Sequence, residues 1–233
     1  MTPSFSLSLS VFENTRIEPT PQAITALMPK FNQLQKFVYL PNTTKVQNLD
    51  LLTGVVKELT NLSFQSTDGK SRITCADDRI DCAVPFTSDN PEEMLRFCVS
   101  ILSVLMDEYN ITGNRLAVNI DLYRDSDVER FEPGEYAELF TLYQQNKLAE
   151  WSSTANAQFD ITVSGKAETV NFITLLKNVI VSANQPAVLC HLDVNTVPYS
   201  KENRFSKASL ISFTEAVLPF IKQTLDQFLG DAR

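Results

Sequence analysis

A chain of 233 residues, 43% hydrophobic and 21% charged, can bury a substantial core and lies far from the composition that keeps chains disordered. Its net charge of −8 disfavours direct nucleic-acid binding, and its single histidine, His191, excludes zinc sites that need two imidazoles. The six glycines are spaced too widely for a Gly-x-Gly-x-x-Gly or Walker loop or a Gly-x-Ser-x-Gly elbow, so no cofactor is indicated.

In chain order, Phe5, Leu7, Leu9 and Val11 alternate with serines, the period-2 mark of a strand with one buried face. Residues 22–28 read as a short helix that Pro29 ends or kinks. In the next stretch 36–40 fits a short strand, and 49–59 fits helix and strand equally. Residues 62–66, Arg72–Cys75 and Arg79–Phe86, with turns at Asp68-Gly69 and Asp77-Asp78, predict an antiparallel meander.

Asn90 as N-cap, Pro91 at the first helical position and Glu92 and Glu93 in the first turn then predict the helix Pro91–Tyr109, closed by Gly113. A second alternating strand follows at 116–122, then a polar loop through Asp125 and Asp127 and a helix near 135–145 after Pro133-Gly134. Residues 159–164 and 187–197 are predicted strands, while 169–181 fits strand or helix. Ser206 caps a last helix, Lys207–Leu229, with Pro219 inside it and Gly230 at its end.

The order of strand, helix, meander and long amphipathic helix occurs twice at an offset of about 110 residues. The expected fold is therefore α+β: a largely antiparallel sheet covered on one face by two long amphipathic helices. The expectation is one domain, 1–233, built from two similar halves, 1–113 and 114–233.

Alternation sets His191, Asp193 and Asn195 on one face of their strand, and Asn119 and Asp121 opposite the apolar row of theirs. Were these strands neighbours, Asp121, His191 and Asp193 would be the candidate catalytic residues, and Asn119, Asp121, Asp193 and Asn195 the candidate metal ligands, because carboxylates with an imidazole hold cations or exchange protons. The competing reading is a solvated outer face of an antiparallel sheet, and it is favoured. The Asp77, Asp78, Arg79, Asp81 cluster lacks calcium-loop spacing and reads as turn chemistry. Trp151, the lone tryptophan, fits the edge of the core better than a partner anchor.

Between residues 77 and 135 stand fourteen acidic residues and five arginines without a lysine, a local surface for a basic partner or a solvated one. Cys75, Cys82, Cys98 and Cys190 lack Cys-x-x-Cys spacing and read as buried thiols of a reducing compartment. The first residues lack a positive region, and the longest apolar stretch, 97–106, is shorter than the roughly 20 residues of a bilayer span; the expectation is a cytoplasmic protein without a membrane segment. The missing catalytic motifs point to a non-enzymatic interaction or accessory protein that self-associates or meets a protein partner through its acidic surface. A metal-assisted hydrolase is the alternative.

Overall fold

The computed structural model describes residues 5–34, 36–49, 56–87, 90–125, 128–132, 150–181, 185–198 and 202–230. Asp127, Pro133-Gly134 and the helix expected at 135–145 lie outside them. In chain order the elements are β1 (Phe5–Phe12), α1 (Pro21–Gln33), β2 (Tyr39–Leu49), β3 (Val56–Ser66), β4 (Arg72–Cys75), β5 (Arg79–Phe86), α2 (Pro91–Tyr109) and β6 (Arg115–Arg124). A short 3-10 turn, Val128–Phe131, precedes β7 (Ser152–Val163), β8 (Lys166–Val181), β9 (Gln185–Thr196) and α3 (Lys207–Leu229).

The strands form a nine-stranded sheet in the order β2-β3-β4-β5-β1-β6-β9-β8-β7, antiparallel at every step. The expected α+β class with an antiparallel sheet is what the chain adopts. β1 lies at the middle because its alternation lets Leu9 meet Cys82 on one side and Val118 on the other. Phe5, Leu7, Leu9 and Val11 are buried there, in one apolar cluster with Leu102 and Leu105 of α2, Phe213 and Val217 of α3, and Leu27 and Phe31 of α1. Burial of each such side chain contributes about 1.5–3 kcal/mol, which makes the helix-bearing face the principal source of stability.

Several local expectations are corrected. The first helix runs on through Pro29 to Gln33, because Leu27 and Phe31, both fully buried, hold the turns on either side and outweigh one missing N–H. The second strand begins at Tyr39 rather than 36. The ambiguous 49–59 is strand wherever it is described, since β2 reaches Leu49 and β3 starts at Val56 in one hairpin register. Asn90 occupies the N-cap position of α2 without capping it: its Oδ1 accepts from the Thr87 N–H and hydroxyl instead.

The end of α2 is Asn110, left-handed at φ 51°, and not Gly113. Gly113 serves packing: a Cβ there would stand 2.7 Å from Val11 Cγ1, and its N–H donates to the Phe205 carbonyl at 2.8 Å. This ties the end of β1 to the approach to α3, whose N-cap Ser206 accepts from the Ser209 N–H.

The strand expected at 159–164 is longer, and 169–181 is strand throughout. β7 and β8 are joined by Ser164 and Gly165 at φ 50° and 79°, the positive pair that a tight two-residue hairpin turn requires. Trp151 is buried against this hairpin, its backbone N–H donating to Asn178 Oδ1 at 2.7 Å, so it is a core-edge residue and not an exposed anchor. The cysteines are free thiols in the core; burial and the nearby carboxylates Glu13 and Asp81 push the Cys75 thiol up to about 12. No described helix is long and apolar enough to cross a membrane.

Candidate functional site

The polar face lies away from the three described helices. β6 and β9 are neighbours, with Asp121 opposite His191, Asn119 opposite Asp193 and Ala117 opposite Asn195. All five residues singled out from the alternation therefore share that face. Two contacts join them directly: His191 Nδ1 lies 2.7 Å from Asp121 Oδ1, and Asn195 Nδ2 donates to Asp193 Oδ1 at 2.8 Å. Asp121 and His191 retain 40% and 33% side-chain exposure, enough for an incoming group to reach either one.

The alternation on two strands missed the continuation across β8 and β7. Asn171 donates to Asn195 Oδ1 at 3.0 Å, and Gln158 donates to Asn171 Oδ1 at 2.8 Å. Amide donors thus run Gln158 to Asn171 to Asn195 and end on the Asp193 carboxylate, an arrangement in which each bond polarises the next. Beside it the Thr169 hydroxyl donates to Asp160 Oδ1 at 2.6 Å. Asn195 is only 1% exposed, and both ends of its amide are engaged by this chain of neighbours. Gln158 and Asn171 carry a signal that register alone reveals, because the apolar run 172–176 alternates on neither face.

Chemically the arrangement is a mixed face, in which the carboxylates stand beside Ile173 and Leu175 of β8, opposite Asp193 and His191. Asp121 is engaged by the imidazole, and Asp193, two residues and roughly 7 Å along β9 from His191, by an amide. Among the described residues no three His, Cys, Asp or Glu side chains come together as a metal-ligand set. A cleft of about 350 Å³ lies elsewhere, at the start of α2, lined by Asn90, Pro91, Glu92, Glu93, Arg96 and Lys222. Its charges already answer one another, Glu92 reaching Lys222 and Arg96 at 2.6 Å each.

Four of the described acids of the stretch 77–135 are likewise paired with cations remote in sequence. Lys36 meets Glu93, Lys207 meets Asp107, Lys30 meets Glu108, and Arg16 meets Asp77. In the turn cluster Arg79 closes on Asp81 at 3.0 Å and the Asp78 carbonyl accepts from the Glu13 N–H, so its members are committed to local structure. Arg115, whose Nε is buried without a hydrogen bond, stacks over Phe12 at 4.8 Å.

Glu13 is an unforeseen buried acid. It is 1% exposed; Oε2 accepts from the Thr15 N–H while Oε1 has no partner. Burial raises its pKa, opposed in part by the Thr15 bonds. A raised folded-state pKa means that the folded form holds the proton more tightly. Stability is therefore lost as pH rises from the unfolded value through the folded one, and the cost is complete above it. Glu13→Gln is expected to be more stable than the parent at pH 7, with the difference closing on acidification below about pH 4.5; urea titrations at pH 4 and 7 check this, and a gap independent of pH would contradict it.

No protein-family model matches this chain, and no curated protein matches its sequence.

Proposed function

We propose that the protein is a non-enzymatic interaction or accessory protein that docks a lysine- or arginine-rich segment of a protein partner on the polar face of the sheet. The observation that carries this reading is the grouping of Asp121, Asp160 and Asp193 on that face, each held by a neighbour: His191, Thr169 and Asn195 respectively. Preorganised carboxylates lose little on meeting a cationic side chain, and complementary charge raises association rates.

The proposed duplication supports it. The β1–β6 pair is flanked by β5 and β9, with three further strands beyond β5 and two beyond β9. Leu9 and Cys82 in the first half correspond to Ile120 and Leu192 in the second, at offsets of 111 and 110. On that correspondence Asp193 and Asn195 stand where the first half has Ala83 and Pro85, and Asn119 and Asp121 stand where it has Ser8 and Ser10. On this reading the second half gathers two aspartates and two asparagines on this face where the first half, apart from Asp81 opposite Ser10, has small or apolar residues.

The test is isothermal titration with an arginine-rich and a lysine-rich peptide at low and physiological salt. Binding that D121N/D193N weakens at least about tenfold, with unchanged thermal stability, is expected; equal binding by parent and variant would refute the proposal. The 2.7 Å Asp121–His191 pair is the one feature favouring the second reading, a metal-assisted hydrolase using Asp121, His191 and Asp193. Thermal stability unchanged by Zn²⁺, Mn²⁺ or Mg²⁺ in both parent and D121N/D193N would dispose of it.

A further inference from the structure

The sheet has two outer edges, and they differ chemically. β2, at one end, carries Pro41 and Lys45, the latter paired with Glu58 at 2.8 Å. Proline and charge are the usual devices by which an edge strand is kept from pairing with another chain. β7, at the other end, carries neither over its first seven residues: Ser152, Ser153, Thr154, Ala155, Asn156, Ala157 and Gln158 are uncharged, contain no proline and are all exposed. Only one side of β7 is paired, with β8; no other described strand meets it. Its outer N–H and C=O groups therefore form a ready template over about 20 Å of strand.

We infer that β7 pairs antiparallel with β7 of a second copy of this chain, continuing the sheet across a two-fold axis. Charge makes this edge the place where two copies can meet. In a chain of net charge −8, two copies repel over most of their surface, so self-contact is favoured where the surface is neutral. A two-fold centred on Ala155 sets Ala155 against its own copy, Ser153 against Ala157, and Thr154 against Asn156, so that no charges oppose over residues 152–158, and Glu150 meets Asp160 only beyond that core. Asp160 falls outside this core, where its hydrogen bond to Thr169 holds it on the β8 side. Phe220 of α3, 39% exposed and 4.7 Å from Phe159, provides an apolar flank beside the paired edges.

Seven backbone pairs with one aromatic flank bury less than the roughly 800 Å² per partner of a stable complex. The association is therefore weak and dependent on concentration, in the high-micromolar range. It leaves the Asp121 and Asp193 carboxylates free, so it stands or falls independently of the proposed partner docking.

Sedimentation velocity on the full chain from about 10 μM to about 1 mM covers that range. The parent is expected to pass from monomer to dimer. Ala155→Lys, which brings two ammonium groups face to face on an exposed strand, should weaken dimerisation at least about tenfold without changing thermal stability, whereas D121N/D193N should dimerise as the parent does. Hydrogen exchange on the same samples should show amides of residues 152–158 gaining protection with concentration. A parent that stays monomeric at the highest concentration, a dimer indifferent to Ala155→Lys, or protection that grows in β2 instead would overturn the inference.

Discussion

Replacing Phe64 with alanine is expected to lower the free energy of unfolding by about 3–5 kcal/mol. Phe64 is fully buried on β3, and its ring meets Phe31 of α1 edge-on at 5.0 Å. Phe31 in turn stands edge-on to Tyr39 of β2 at 6.1 Å. This aromatic corner fastens α1 to the outer strands. Tyr39 is committed there by its hydroxyl, 2.6 Å from Ser71 Oγ, which donates onward to the Ala83 carbonyl, and burial pushes the Tyr39 phenol far above its ordinary pKa. Removing the ring opens a cavity that the sheet cannot close, because β3 is bonded on both sides. Phe64→Leu keeps most of the volume and should cost less than half as much. Urea unfolding of the two variants decides it; a loss below about 1 kcal/mol for alanine would mean that the corner is loosely packed.

Arg204→Ala is expected to cost about 2 kcal/mol, between the values for exposed and fully buried ion pairs. The guanidinium lies 3.3 and 3.4 Å from the Glu168 carboxylate, donates to the Asn114 carbonyl at 2.8 Å, and stacks 4.4 Å over Phe205. It thus bridges β8, the entry to β6 and the segment before α3. Alanine leaves Glu168, 19% exposed, without this partner. The double variant Glu168→Gln/Arg204→Met should be less destabilised than Arg204→Ala, because removing both charges avoids stranding one. Chemical denaturation of the three proteins checks the order; equal losses would show that packing over Phe205, and not charge, dominates.

Where one face of an element is greasy and the other wet, the sequence was legible. β1, β5 and β6 follow their alternation, and α2 and α3 lie where apolar residues recur every three or four positions. The five polar residues on β6 and β9 were assigned to faces for the same reason. β8 was not legible: Phe172, Leu176, Ile173 and Leu175 are partly buried on both faces, so no period distinguished strand from helix. Its Asn171, which links Gln158 to Asn195, went unrecognised with it. Pro29 misled because propensity is a local cost, here about 3 kcal/mol, overridden by burial on either side.

The amino-acid order by itself determined which side chains share a face, since strand and helix periods are properties of the local backbone. It also determined that no glycine-rich phosphate loop and no two-histidine zinc site is available. Only the tertiary structure decided strand order, the Asp121–His191 contact, the amide chain reaching Asp193, and the pairing of Glu108, Glu93, Asp107 and Asp77 with Lys30, Lys36, Lys207 and Arg16. Those depend on which distant segments become neighbours, and that is governed by the joint burial of the apolar faces rather than by any residue's position along the chain.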